Sequence, residues 1–248
     1  MMDDIYLKEL VIRMTSVLKE KLNSLYLIGS ASLGDYIEHR SDVDILGITN
    51  TTLTNFEKDQ LAHILDFDRF PCPAEGLDMV LITQQNIEHI QPQPAYEFWF
   101  STGAYWPKEQ WEAGENEEML IFIEQCRQNG VKIYGNGPAI HFSIIDRKLV
   151  LKAFKKILLW HKKYILDEYH DPGGQNSVLN ACRILMFVEN NQFYSKTGGG
   201  KAFLKKYPDQ LTVQKALSIR QNESGPKITA EEILEFLIFG EKKLDQEM

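Results

Sequence analysis

Apolar residues recur at helical spacing over residues 5–22, at Ile5, Leu7, Leu10, Val11, Met14, Val17, Leu18 and Leu22, which predicts an amphipathic helix. The short apolar run Leu25–Ile28 stops at Gly29-Ser30 and reads as a strand ending in a tight turn. Asp42–Ile48 reads as a second strand, residues 54–65 as another amphipathic helix, and Leu77–Ile82 as a third strand. Segment 103–118, broken by Pro107 and Gly114, reads as a loop. A helix from Glu117 to Asn129 follows, with Gly130 at the C-cap position, and then a short edge strand, Val131–Tyr134.

The pattern changes after residue 145. Helical periodicity covers 147–169, 176–189, 201–207 and 211–221. The capping-box pair Thr229 and Glu232 opens a last helix that runs to Lys243. No strand pattern occurs in this half. The expected organisation is therefore an α+β domain over 1–145 and an all-α helical bundle over 146–248.

Composition narrows the function classes. The formal net charge of −8 disfavours nucleic-acid binding, which takes clustered Lys and Arg, and it suits a cationic small ligand. Glutamates between 109 and 118 could form an acidic mouth for such a ligand, or a solvated loop. Cys72, Cys126 and Cys182 form no CxxC pair, so neither zinc nor a disulfide framework is expected. That usage fits a reducing cytoplasm. Residues 1–4 lack the features of a signal peptide, and no apolar run reaches the roughly 20 residues that cross a bilayer. The six histidines, among them His39, His141 and His170, show no ligand spacing and read as surface or packing residues.

The chemistry concentrates in Leu27-Ile28-Gly29-Ser30, an eleven-residue spacer, and Asp42-Val43-Asp44-Ile45. On a strand, residues two apart share a face, so Asp42 and Asp44 project together while Val43 and Ile45 enter a core. Adjacent carboxylates repel, and a divalent cation removes that cost. Mg²⁺ suits such a pair, because it takes one or two carboxylates plus substrate phosphates. The Gly29-Ser30 turn lets backbone approach a ligand, and a helix starting at Ser30 would direct N–H groups at a phosphate. Asp78 is a charge inside an apolar strand and needs a partner, so it is the candidate third metal ligand and proton acceptor. Glu75, one residue before Gly76, is its rival. Trp99, Trp106 and Trp111 could line an aromatic wall for a substrate sugar, or pack in the core.

This pattern resembles the DNA polymerase β-like nucleotidyltransferases, and within them the streptomycin/spectinomycin-type aminoglycoside adenylyltransferases. The resemblance follows GSASLG, SDVDILGIT, GLDMVLIT, RQNGVKIYGNGP, QNSVLNACRI and FYSKTGGGKAF in order. It implies a nucleotidyltransferase-type mixed sheet with flanking helices, a C-terminal helical bundle, and ATP and drug bound between them. It implies AMP transfer from ATP to a hydroxyl of a small molecule with pyrophosphate release, Mg²⁺ (two ions) as cofactor, and a monomer. By resemblance Gly29, Ser30 and Ser41 contact the triphosphate, Asp42 and Asp44 bind Mg²⁺, and Asp78 occupies the catalytic-base position, a glutamate in many members. Glu118, Arg183 and Lys196 fall on nucleotide-associated positions, with Lys201 a rival to Lys196, and Asn176 on a substrate-facing one. Two positions depart from the streptomycin-modifying members, Ser101 replacing a tryptophan and Gly173 an aspartate, and Glu223 aligns with a tyrosine late in the family's second domain. Acceptors of another kind (a lincosamide, a metabolite or a protein hydroxyl) and a non-catalytic nucleotide-binding regulator are the alternatives.

Overall fold

The computed structural model describes residues 4–37, 40–106, 110–138, 142–221 and 227–248. His39, Glu109, His141 and Glu223 lie outside the described residues. The chain divides into two compact units, Met1–Ile145 and Asp146–Met248.

The first unit is a six-stranded mixed sheet with flanking helices. Its elements are α1 (Asp4–Leu18), β1 (Leu22–Leu27), the single turn α2 (Gly29–Ser32), β2 (Val43–Thr49), α3 (Asn55–Leu65), β3 (Gly76–Thr83), α4 (Gln84–Glu88), β4 (Ala95–Gly103), β5 (Glu112–Glu115), α5 (Met119–Asn129) and β6 (Val131–Tyr134). The strand order is β5-β4-β3-β2-β1-β6. Among the described residues only β2 and β3 pair in parallel, and α3 supplies the crossover that a parallel pair requires. A capping box opens α3: Thr54 Oγ1 accepts from the Glu57 N–H, and Glu57 Oε2 accepts from the Thr54 N–H. Leu10 and Met14 of α1 and Leu61 and Leu65 of α3 are buried with Leu25, Leu27, Val43, Ile45, Leu77, Met79, Phe98 and Phe100 in one core on one face of the sheet.

Two strands differ from the sequence expectation. β4 alternates between partly and fully buried positions along its whole length, as a strand with one buried face does, yet it lies where no strand is expected. β5 falls in the expected loop, and all four of its residues are exposed. Gly130 does cap α5, but with φ −61° and ψ 129°, because the chain passes directly into β6 instead of reversing through a left-handed residue.

The second unit is all helix: α6 (Arg147–Lys163), α7 (Gln175–Asn190), α8 (Lys196–Lys206), α9 (Leu211–Arg220) and α10 (Ala230–Asp245). α7 touches the other four and is buried on almost every side, which matches its run of apolar residues. α6 stops at Lys163, six residues short of the expected end. α8 starts at Lys196, five residues early, capped by Ser195. Its glycines allow close helix packing: a Cβ on Gly199 would lie 3.0 Å from Arg183 Cγ on α7. Thr229 and Glu232 form the expected capping box at α10.

Candidate active site

Strand alternation sets the site. Val43, Ile45, Leu77 and Met79 enter the core under α1 and α3, so Asp44 and Asp78 project from the opposite face. The β2–β3 register makes Asp44 and Asp78 direct partners, about 4.8 Å apart at the strand spacing. Asp42 precedes β2 by one residue rather than lying within it. It is nonetheless close enough for its charge to act on Asp78.

The Gly29-Ser30 turn lies against Asp44. The Ile28 N–H donates to the Asp44 carbonyl at 2.9 Å. Gly29 has φ +62°, and a Cβ there would overlap the Asp44 carboxylate and lie 2.9 Å from its Cβ. Only glycine fits both the backbone and the space. Among the described residues, nothing hydrogen-bonds to the buried Ser30 Oγ. The helix expected from Ser30 is one turn, Gly29–Ser32, so the turn offers a ligand its hydroxyl and close backbone rather than an accumulated dipole. Ser41 is buried and already bonded: its Oγ accepts from the Ile37 N–H at 3.0 Å, and its carbonyl accepts from the Glu75 N–H at 2.9 Å. It holds the approach to Asp42.

Asp78 has dedicated partners on β4. Its Oδ1 accepts from Trp99 Nε1 and from Ser101 Oγ, each at 2.8 Å. Burial pushes its pKa up to about 6, opposed by those two hydrogen bonds and reinforced by the charge of Asp42. Glu118, the N-cap residue of α5, sits close enough to be coupled to it. Burial pushes Glu118 up to about 7, and the charge of Asp78 adds to the shift. Trp99 meets Phe122 of α5 edge to face at 5.8 Å, which ties this helix to the Asp78 face.

The aromatic wall does not assemble. Trp99 points to α5 and donates to Asp78, whereas Trp111 packs against the core of the opposite face and donates to Asp59 Oδ1 at 2.7 Å. Trp106 covers Gly76 and Gly103. Sequence reading also missed Ser101 as a partner of Asp78, because its role comes from cross-strand register and not from any local motif.

The carboxylates do not form a ready-made cage. Among the described residues no three His, Cys, Asp or Glu side chains are grouped so as to hold a metal ion. The donor set still fits Mg²⁺, whose shell is completed by water and ligand phosphates around one or two carboxylates. Asp42 and Asp44 would be those two, beside a turn in which Ser32 Oγ donates to the Gly29 carbonyl at 3.1 Å while the buried Ser30 Oγ has no bond among the described residues.

In the second unit Asn176 and Lys196 bond to each other, and Arg183 is held by partners of its own. Lys196 Nζ donates to Asn176 Oδ1 at 3.1 Å, and Asn176 Nδ2 donates to the His170 carbonyl at 3.0 Å. Arg183 donates through Nε to the Tyr194 carbonyl at 2.7 Å and through Nη1 to Asn180 Oδ1 at 2.9 Å. Lys201, the rival of Lys196, is exposed on α8.

Comparison with known proteins agrees with this layout. Residues 142–239 match the family described as aminoglycoside adenylyltransferase, C-terminal domain. A spectinomycin 9-adenylyltransferase of Enterococcus faecalis is 24% identical over 219 residues, which are 82% of this chain and 80% of the relative. The crystal structure of the spectinomycin adenyltransferase AAD(9) with ATP and spectinomycin superposes with a TM-score of 0.71 at 20% identity, covering 97% of this chain and 98% of that one. Residues 142–239 thus match the C-terminal domain of the aminoglycoside adenylyltransferases, and the chain as a whole is similar to a spectinomycin 9-adenylyltransferase in sequence and to AAD(9) in fold.

Proposed function

We propose that the protein transfers AMP from ATP to a hydroxyl of an aminoglycoside-type antibiotic, with Mg²⁺ as cofactor and pyrophosphate as the leaving product. The observation that carries this reading is the in-register pair Asp44 and Asp78 beside the Gly29-Ser30 turn. Asp42 and Asp44 would hold Mg²⁺, which supplies positive charge against the triphosphate. Ser30 Oγ, buried and unbonded among the described residues, donates to a phosphate oxygen. Glu118 serves the nucleotide, and Arg183 and Lys196 are the candidate phosphate-contacting side chains of the second unit.

Asp78 works on the acceptor. Trp99 and Ser101 fix one of its oxygens, leaving Oδ2 to take the proton of the attacking hydroxyl. Its pKa near 6 keeps the carboxylate ionised at neutral pH yet more basic than an exposed aspartate. The acceptor oxygen then attacks the α-phosphorus, the bond to the β-phosphate oxygen breaks, and pyrophosphate leaves. Positioning and fixed charge supply most of the acceleration.

The acceptor we favour is spectinomycin rather than streptomycin. The curated relative is a spectinomycin enzyme. Ser101 and Gly173 stand where streptomycin-modifying members have a tryptophan and an aspartate, and here the Ser101 hydroxyl is committed to Asp78. Pyrophosphate release is to be measured with ATP and Mg²⁺ across spectinomycin, streptomycin and a lincosamide. Spectinomycin-dependent release that Asp44→Asn abolishes while the protein stays folded supports the reading. ATP binding without release for any acceptor sinks it.

A further inference from the structure

The C-terminal unit contains a buried hydrogen-bonded chain to which the proposed chemistry assigns no part. His161 of α6 is 3% exposed, and Asp171 and Ser177 are wholly buried. Ser177 Oγ lies 2.7 Å from Asp171 Oδ2 and 3.3 Å from His161 Nδ1. Asn180 Nδ2 lies 3.0 Å from His161 Nε2, and Asn180 Oδ1 lies 2.9 Å from Arg183 Nη1.

The two ends fix the direction of every bond. A carboxylate only accepts, so the single hydroxyl proton of Ser177 goes to Asp171. Ser177 Oγ must then accept from His161 Nδ1–H. A guanidinium only donates, so Asn180 turns its oxygen to Arg183 and its amide N–H to His161 Nε2. The chain therefore runs, donor to acceptor, from Arg183 through Asn180, His161 and Ser177 to Asp171. Asp171 is anchored in turn, accepting from the Ser177 N–H at 3.0 Å and the Leu166 N–H at 3.2 Å. Asp, Ser and His here do not make a hydrolytic triad, because the serine proton points to the aspartate and the hydroxyl has no access to solvent.

We propose that His161 is a positioning residue for Arg183: its neutral Nδ1–H tautomer orients Asn180, which with the Tyr194 carbonyl fixes the plane of the guanidinium. The proposal rests on the reading that Arg183 serves the ATP phosphates. Burial, with the charges of Lys196 and Arg183 adding to it, pushes His161 down to about 3, in keeping with a neutral ring. An orienting group held by packing keeps its partner aligned before the ligand arrives.

The test compares ATP KM, kcat and thermal midpoint for Arg183→Gln, His161→Leu, His161→Gln and Asn180→Leu, by pyrophosphate release at saturating acceptor. Arg183→Gln raises ATP KM by about 10-fold or more. His161→Leu raises it about 10-fold with kcat within about threefold, since ground-state binding is what misalignment weakens. His161→Gln, whose Oε1 replaces Nε2 as acceptor for Asn180, brings KM back to within about threefold of the parent. A residue that merely fills the core would give the two His161 variants the same lowered thermal midpoint with ATP KM unchanged, and that outcome overturns the proposal. If Arg183→Gln leaves KM unchanged, the phosphate role of Arg183 fails and the proposal fails with it. If Arg183→Gln is impaired and His161→Leu is not, only the positioning role is overturned. Should His161→Leu not fold, Asn180→Leu cuts the chain one link from Arg183 and is expected to raise KM alike; a normal KM there refutes it.

Discussion

Replacing Gly29 with alanine separates backbone strain from damage to the site. At φ +62° any residue with a Cβ costs about 1–2 kcal/mol. Gly34 has φ +71°, and an added Cβ there meets nothing within 4 Å. Gly34→Ala therefore measures the backbone cost alone, a fall in melting temperature of about 2–8 °C for a chain of this size. Gly29→Ala carries the same cost and also puts its methyl where the Asp44 carboxylate stands. Relief requires that carboxylate to move by about 1 Å or more, a displacement that costs on the order of 100-fold in rate at a reacting centre. Thermal unfolding and pyrophosphate release on both variants read the two effects. The expected result is a loss of stability in both, larger in Gly29→Ala by the cost of the overlap, and a loss of turnover in Gly29→Ala alone. Equal turnover in the two variants would falsify the coupling of the turn to Asp44.

Ser30→Ala removes a buried hydroxyl that has no partner among the described residues, worth about 1–3 kcal/mol of desolvation. The variant is expected to melt higher while its ATP KM rises; a lower melting temperature contradicts the assignment. Trp99→Phe deletes one donor to Asp78, a bond to a charged group worth about 1.5–3 kcal/mol, so kcat is expected to fall about 10-fold with ATP KM unchanged. An unaltered kcat would show that Asp78 does not depend on β4. His161 has its pKa depressed from 6.5 to about 3, so between those values the unfolded chain binds a proton that the folded chain refuses. Its contribution to stability is complete above pH 6.5 and falls by about 4–5 kcal/mol as pH drops towards 3. Denaturant titrations of the parent and His161→Gln should differ in pH slope across that window, and parallel curves would remove the effect.

The periodicity of α1, the strand that stops before Gly29, the strand expected from Asp42 and found from Val43, the Asp78 strand and the Thr229 capping box are all legible in the sequence, because each is a local pattern. β4 also carries a local signal, since Tyr96, Phe98, Phe100 and Thr102 alternate with Glu97, Trp99 and Ser101. Its density of aromatic residues hides the period of two. β5 has no signal, because four exposed residues, Glu112 to Glu115, pair with β4 through backbone alone. The three aspartates stand out as charges at strand ends and in apolar runs. What holds Asp78 was not legible, because Trp99 and Ser101 reach it only through the β3–β4 register. Asp171 likewise reads as an ordinary loop residue, and only the packing of α6 against α7 turns it into a buried anchor.

Seven consecutive residue pairs zip β2 to β3, and the Asp44–Asp78 separation is one rung of that ladder. The 26 intervening residues, 50–75, leave the sheet and return to it, so their length does not enter the geometry of the pair. Insertions or deletions between Thr49 and Gly76 can accumulate without altering the distance between the two acids. A change of one residue within either strand, by contrast, would turn an acid into the core. Lineages of this fold are thus free to remodel the excursion while the rung stays fixed.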